Sequence, residues 1–502
     1  MELDEARREI DKIDAQLLRL FLRRMELAGE IAAYKQKHCL PVRDEVREQE
    51  ILERVAAEAG ESAGSAKALF STLFALSRER QSTLSEINPQ EKIYGLVGRK
   101  LGHSWSVPIH ALLGNSSYRL IDLEPEDLPA FLRRPDIGGL NVTIPYKRTV
   151  LPLCDELEES VRLIGSANTL IRDADGRLRA YNTDAGGFSY LARAAGISFA
   201  GKKVVILGSG GASLTAQAVA RRESARSVAV ISRKGTENYQ NISRHADAEI
   251  LVNATPVGMY PETGESPVDL RDFPACGGVL DLIYNPRRTA LLMQAEALGI
   301  PCSGGLPMLA QQAAEAEALF FGRPVCAGSA ERTVSVLHRE KMNLVLIGMP
   351  GCGKTTVGNL LAAQTGRKIV DTDEEIARRA GKSIPEIFMQ EGESVFRRLE
   401  REELARRGRE SSLILITGGG AVLDERNYAS LRQNGRIYHL ERGIPLLARR
   451  GRPLSEHADL AAMYRIRLPL YRRFRDAAAD NNGTAEDTAH AIWRDFLEHS
   501  GD

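Results

Sequence analysis

The run GMPGCGKTT at 348–356 sets glycines, a lysine and two hydroxyls in the order G-x-x-x-x-G-K-[ST], directly after the apolar NLVLI and before the helical pattern VGNLLAAQTG. That order serves phosphate chemistry: backbone N–H groups at a helix start cradle the anion, and glycine lets the backbone approach it closely. Gly348, Gly351, Gly353, Lys354, Thr355 and Thr356 are the candidate nucleotide contacts, with Lys354 reaching the terminal phosphates and Thr355 a ligand for Mg²⁺. A second glycine turn, VVILGSGGAS at 204–213, joins an apolar strand to LTAQAVARR and offers Gly208, Gly210, Gly211 and Ala212 to a dinucleotide. Ser213 stands where the G-x-G-x-x-G fingerprint has its third glycine. The next strand, SVAVISRK, ends in Ser232, Arg233 and Lys234 where a ribose-binding acid would mark NAD, so cations suited to a 2′-phosphate favour NADP.

A third set of residues breaks a helical pattern. Ile10, Ile13, Leu17, Leu20, Leu27, Ile31 and Tyr34 recur at three- and four-residue steps, yet Arg24 stands seven after Leu17 and seven before Ile31, on the seam. Further on, Leu69 and Leu73 lead at four-residue steps to Ser77 and Gln81. A snorkelling arginine is one reading. Two helices sending polar groups inward predict instead a polar pocket within a bundle.

These motifs need elements to hold them. Breaks at 82–91 and 323–341 are each followed by a fresh strand signal, IYGLVG and NLVLIG. The pattern before the first break is purely helical; after it, short β-rich runs alternate with helical segments. The expectation is a multidomain chain: an all-α intertwined helical domain at 1–88, a two-lobed α/β domain at 92–324 with a Rossmann-type lobe at 185–300 between 92–184 and a returning 301–324, and a P-loop α/β domain at 342–502. The first helix, at 1.5 Å per residue, runs roughly 50 Å, too long for a 90-residue domain to cover alone, so a homodimer through this domain is expected.

Composition excludes several classes. Among 502 residues Lys plus Arg and Asp plus Glu both number 67, which leaves no basic excess for nucleic acid or an anionic membrane. No apolar run approaches the roughly 18 residues of a membrane span. The charged start MELDEARREIDKID lacks the apolar core of a signal peptide, and Cys39, Cys154, Cys276, Cys302, Cys326 and Cys352 are scattered without a C-x-x-C pair. Reduced thiols in a cytoplasmic protein are the expectation.

With Arg7, Lys35, Arg43, Asp44 and Arg47 added to the helical seam, residues 3–85 resemble an all-helical chorismate mutase. The resemblance implies rearrangement of chorismate to prephenate by positioning and charge stabilisation. Arg7, Arg24 and Arg47 would hold the carboxylates, Arg7 coming from the partner chain. Lys35 and Gln81 would donate to the ether oxygen, while Asp44 and Ser77 would hold the hydroxyl end. The alternative keeps this domain mainly as a dimerisation and ligand-sensing module.

In the middle, GRKLGHSWSVPIH, GGLNVTIPYK, IGSANTL, YNTDAGG, VNATPVGM, DLIYNP and GGLPMLAQQA follow in the order that resembles shikimate dehydrogenase over 92–322. Reduction of 3-dehydroshikimate then takes a hydride from NADPH and a proton, for which Lys147 and Asp184 match the family's lysine–aspartate pair. Ser104, Ser106, Thr143, Asn168 and Gln312 would hold the substrate with Tyr284 nearby, and Met308 would line the nicotinamide site. Val107 replaces the proline of the family's H-S-x-S-P, and 235–248 is short for a strand–helix unit. A quinate-preferring dehydrogenase is the rival.

At the end, DTDEE (371–375), FRRLE (396–400), TGGGAV (417–422), GRPL (451–454) and RLPLY (467–471) resemble shikimate kinase. This implies that Asp373 deprotonates the acceptor hydroxyl of shikimate and that Asp371 acts near magnesium. Arg397 and Arg467 would grip the carboxylate, Gly418, Gly419 and Gly420 would let backbone approach the ring, and Arg452 would close over the phosphates of ATP. The rival is another P-loop small-molecule kinase.

Overall fold

The computed structural model describes residues 3–37, 45–85, 92–102, 104–448 and 459–499. The chain divides into two compact units, Met1–Thr183 with Ala310–Thr333 and Asp184–Leu309 with Val334–Asp502.

In the first unit the uninterrupted apolar steps give one long helix, α1 (Leu3–Lys37), followed by α2 (Glu45–Ala59) and α3 (Ala63–Ser85). α3 packs against both others, burying Ala28 and Phe74. Most of the α1 stripe is left uncovered within the chain: Ile10, Ile13, Leu17, Leu20, Leu27, Ile31 and Tyr34 are 41–69% exposed.

The same unit holds a six-stranded sheet in the order β2-β1-β3-β5-β6-β4, from β1 (Ile93–Gly98), β2 (Arg119–Asp122), β3 (Ile137–Val142), β4 (Glu156–Leu157), β5 (Thr169–Arg172) and β6 (Leu178–Tyr181). β1, β2 and β3 run parallel, whereas β5 is antiparallel to both neighbours. β1 and β3 are buried along their whole length, as continuous apolar runs in a covered parallel sheet must be. Val107 lies in the first turn of helix Ser106–Leu112 and packs on the cluster of Tyr94, Leu96 and Phe320, so an apolar contact stands at the position of the family's proline.

The second unit contains two parallel five-stranded sheets. The first, β11-β10-β9-β7-β8, is built from β7 (Lys203–Leu207), β8 (Ser227–Ile231), β9 (Ile250–Asn253), β10 (Gly278–Asp281) and β11 (Cys302–Ser303). Its first strand lies between the second and third, so the switch point where ligands bind in such sheets falls at the carboxyl ends of β7 and β9. The short 235–248 stretch carries a 3-10 turn, Ile242–His245, in place of an α-helix before β9. The other sheet, β13-β14-β12-β15-β16, comprises β12 (Asn343–Ile347), β13 (Lys368–Asp371), β14 (Leu413–Ile416), β15 (Gly435–Glu441) and β16 (Ala477–Asp480). β12 and β14 are wholly buried in an apolar core with Leu361, Leu404 and Phe496.

No helix among the described residues is long and apolar enough to cross a membrane. Cys154, Cys276, Cys302 and Cys352 are free thiols, but Cys326 is disulfide-bonded, which corrects the expectation of wholly reduced cysteines. Disulfide pairing follows proximity in space, and scattered spacing along the chain does not reveal it.

Candidate active sites

In the helical region the seam residues meet. The Arg24 guanidinium reaches from α1 to α3, donating to Ser77 Oγ and, at 3.0 Å, to the Leu73 carbonyl, and it lies 5.6 Å from the centre of the Phe74 ring. Burial lowers its pKa, opposed by the Glu48 carboxylate. A cation held on the inner face of two helices is placed for an anionic ligand. Arg7 and Arg47 are exposed and Lys35 half-buried. Arg47 pairs with Glu50 at 3.2 Å, and Arg78 bonds Glu48. Asp44 lies outside the described residues, and of Gln81 only its helical backbone is described.

In the first sheet's region a polar network converges on Asn168, which is buried. Its Nδ2 donates to Thr183 Oγ1 at 3.0 Å and to Gln312 Oε1 at 3.2 Å, and its Oδ1 accepts from the Thr183 backbone at 2.7 Å. Asn141, inside the GGLNVTIPYK motif but given no role from the sequence, supports Asn168 from below. Its Nδ2 donates to the Asn168 carbonyl at 3.3 Å while its Oδ1 accepts from Tyr118 at 2.7 Å. Ser104 and Ser106 hydroxyls are joined at 3.0 Å at the start of the helix that opens with Ser106. Thr143 follows β3, and the half-buried Lys147 lies in the turn after it, its carbonyl accepting from Ala167 N–H at 2.8 Å.

Asp184, buried, opens the helix Asp184–Ala194 of the second unit. In that unit the glycine turn behaves as its spacing predicts. Gly208 has φ of 106°, and a Cβ there would stand 2.7 Å from the Ala254 carbonyl, so only glycine closes the turn at the β7/β9 switch point. Helix Gly211–Arg222 begins directly after Gly210, and Arg233 and Lys234 are exposed beyond the end of β8, with Ser232 half-buried beside them. A cradle that a side chain would fill, a helix start and two exposed cations fit a phosphorylated dinucleotide. Below it, Asn253 Nδ2 donates to Asp281 Oδ1 at 3.0 Å and Thr289 Oγ1 to Asp281 Oδ2 at 2.7 Å; burial pushes the Asp281 carboxyl up to about 6. Both residues lie in quoted motifs, VNATPVGM and DLIYNP, yet strand ends buried under a turn give no periodic signal. Met308 is buried near the start of helix Leu306–Phe320, and Tyr284 lines a separate cavity of the second unit.

The phosphate loop follows β12. Gly348, Gly351 and Gly353 have φ of 147°, 82° and 97°, and Lys354, buried, donates to the Gly348 and Met349 carbonyls at 2.9 and 3.1 Å. Helix Lys354–Thr365 carries Thr355 and Thr356 in its first turn. Thr355 Oγ1 lies 3.4 Å from Asp371 Oδ2, an oxygen-only pair suited to a hard cation such as Mg²⁺.

Opposite, the Gly418–Gly420 turn gathers the acceptor residues. A Cβ on Gly418 would stand 2.6 Å from Asp373 Oδ1, one on Gly420 would stand 2.5 Å from Arg397 Nη2, and the Gly419 carbonyl accepts from Arg467 Nη1 at 3.0 Å and Tyr471 at 2.6 Å. Glu400, the last residue of FRRLE and unassigned from the sequence, holds Arg397 Nη1 at 2.7 Å; burial pushes its carboxyl up to about 7, against the pull of Arg397. Arg452 lies outside the described residues.

Comparison with known proteins matches three families along the chain: chorismate mutase type II over residues 6–82, the shikimate dehydrogenase substrate binding domain over 96–170, and shikimate kinase over 350–497. The NADP(+) shikimate dehydrogenase of Caldicellulosiruptor bescii is 37% identical over 254 residues, covering 45% of this chain and 88% of the relative. That of Methanopyrus kandleri is 35% identical over 268 residues, covering 47% and 92%. Among solved structures, a chorismate mutase/shikimate 5-dehydrogenase fusion protein from Clostridium acetobutylicum is 33% identical, covering 49% of this chain and 97% of that one with a TM-score of 0.47.

Proposed function

Because the chain belongs to the shikimate dehydrogenase family, with a chorismate mutase region before that part and a shikimate kinase region after it, we propose how its own residues divide three reactions. The activities are chorismate to prephenate, 3-dehydroshikimate with NADPH to shikimate, and shikimate with ATP to shikimate 3-phosphate. The observation that carries the reading is the succession of the three family regions on one chain. Dehydrogenase and kinase then catalyse successive steps. The domains we assign are 1–88, 92–324 and 342–502.

In the mutase, Arg24 with Arg7 and Arg47 fixes the two carboxylates, and Lys35 and Gln81 would donate to the ether oxygen where charge grows as the bond breaks. Asp44 and Ser77 hold the hydroxyl end. The exposed α1 stripe supports a homodimer, the second chain covering the apolar face and lending Arg7.

In the dehydrogenase, the Asn168–Gln312–Thr183 network orients the substrate hydroxyls, and Ser104, Ser106 and Thr143 complete the grip. The Gly208 turn would hold NADPH, with Arg233, Lys234 and Ser232 for its 2′-phosphate and Met308 for its nicotinamide, and the bound cofactor would supply the hydride. Lys147 and Asp184 manage the proton that the new hydroxyl takes up.

In the kinase, Asp373 accepts the proton of the attacking hydroxyl, Arg397 and Arg467 hold the shikimate carboxylate, and Lys354 draws the γ-phosphoryl charge. Mg²⁺, held by Thr355 and through water by Asp371, would neutralise the phosphates, with Arg452 as the implied further cation for them. All three reactions use small soluble metabolites, which supports a cytoplasmic location and partners that are neither nucleic acid nor membrane.

Product assays on the purified chain test this. Prephenate, shikimate and shikimate 3-phosphate are expected from chorismate, 3-dehydroshikimate and shikimate, and a missing product removes that activity from the reading. Sedimentation should give a dimer that is lost on deleting residues 1–90. A dimer that survives the deletion places the interface elsewhere.

A further inference from the structure

Apart from the three reaction sites, the second unit contains a cavity of about 310 Å³ where the NADP-type sheet meets the helix Ser329–Lys341 that leads into the kinase sheet. Its polar wall is Arg287, Arg288, Glu296, Ser303 and His338; its apolar wall is Leu292, Leu306, Pro307 and Val334. Ala194 and Ala195 also line it, which sets it at the far end of helix Asp184–Ala194 from Asp184, about 15 Å along the axis. The seam is firm on the kinase side. Arg287 N–H donates to Asn434 Oδ1 and Arg288 N–H to the Gln433 carbonyl, each at 2.9 Å, and Arg432 reaches Glu296 at 3.4 Å.

The charges in this wall do not balance. Glu296 is engaged by Arg288 at 2.8 Å and by Arg432, and Asp476 is engaged by Arg432. For the Arg287 guanidinium the acceptor among the described residues is the Met342 thioether, at 3.8 Å. A thioether is a weak acceptor, and a desolvated cation without a carboxylate is costly. Its neighbour His338 has a buried Nδ1 without a hydrogen-bond partner. Desolvation, and then Arg288, brings the Arg287 pKa down to about 9, and burial followed by Arg287 and Arg288 brings His338 down to about 3, so the imidazole is neutral at physiological pH. One forked cation and one neutral ring nitrogen fit a single carboxylate better than a phosphate dianion, which calls for several charged donors. Four apolar side chains in the same lining fit a ring-sized hydrocarbon body, and the volume is at the small-ligand end of binding cavities.

We propose that this cavity is a binding site for a small monocarboxylate with an apolar, ring-sized body, its carboxylate forked by Arg287 and its body against Leu292, Leu306 and Val334. Because the wall is shared by the dehydrogenase's nucleotide lobe and the helix entering the kinase, the ligand fastens the two together. The inference stands on the cavity alone and does not depend on the catalytic assignments.

Calorimetric titration of the full chain with 3-phenylpropionate tests it, with 3-phenylpropanamide and inorganic phosphate as comparison probes. The acid should bind, the amide about tenfold or more weaker, and phosphate weaker than either. Arg287→Met, which keeps length but removes the fork, should weaken the acid by about tenfold or more, and Val334→Trp, which fills the cavity, should abolish binding. Dehydrogenase and kinase turnover report that both variants are folded. Absence of binding in the wild type, acid and amide binding alike, phosphate binding more tightly than the acid, or equal binding of the acid to wild type and Val334→Trp would each overturn the proposal.

Discussion

The phosphate loop and the helical amino-terminal region hold their cations in opposite ways. Lys354 is buried and pinned by two carbonyls of its own loop, within six residues of sequence, so its motif is also its structure. Arg24 depends on residues about fifty positions away on α3, and the helix that carries it leaves its apolar stripe exposed within one chain. A local motif builds a site wherever its strand and helix form, whereas a site made from facing helices is only as complete as the packing around it. Damage to the first should therefore be confined and severe, and damage to the second should also loosen the bundle.

The largest effect is expected for Lys354→Ala. Loss of the lysine leaves the loop without its phosphate contact, so shikimate 3-phosphate formation should fall by about 10³-fold or more while prephenate and shikimate formation hold. A fall in all three would mean that Lys354 supports the fold through its loop carbonyls. Arg24→Ala should lower mutase turnover by about 10²-fold and also destabilise the helical region by about 1–3 kcal/mol, since Ser77 Oγ loses its donor and the Leu73 carbonyl one of its two side-chain donors. Lost activity without a change in melting would show that the α1–α3 contact is catalytic only, which would blunt the contrast between the two regions.

Much of this contrast was legible in the sequence. The roughly 50 Å length of α1 followed from a three- and four-residue apolar rhythm, and the inward placing of Arg24 and of Ser77 followed from their phase on the two helices. The two glycine turns fell at the ends of β7 and β12 because parallel buried strands read as continuous apolar runs. What escaped was support that arrives from elsewhere in the chain. Asn141 behind Asn168 and Asp281 behind Asn253 are buried polar groups whose partners are set by strand order, and Glu400, though only three residues from Arg397 on one helix, is buried by the packing of that helix; neither is written in any one segment. The cavity beside Arg287 escaped for the same reason, since its lining comes from segments as far apart as Ala194 and His338.

A smaller effect sharpens the comparison in the nucleotide lobe, where the cations are exposed. Replacing Arg233 and Lys234 by serine should raise the KM for NADPH by about tenfold with little change for NADH, because a solvated contact to the 2′-phosphate is worth about 1–2 kcal/mol. Equal losses with both cofactors would mean that the end of β8 has been disturbed.

The smallest effect concerns Glu400, which sits between the two modes: it is buried like Lys354 yet coupled to distant groups like Arg24. Its carboxyl is pushed up from 4.5 to about 7 by burial, in spite of Arg397, with Asp373 raising it further and Arg467 opposing. A group that holds its proton more tightly in the folded state stabilises the fold fully below its unfolded pKa, and that contribution is lost as the pH rises through the folded value. Between about pH 4.5 and about pH 7 the kinase transition of the wild type should therefore fall by several degrees relative to Glu400→Gln, whose amide cannot ionise, in calorimetric melting. A difference that stays flat across that window would show that Arg397 keeps Glu400 ionised throughout, making the pair a permanent ion pair; a difference that grows toward acid would reverse the sign of the shift.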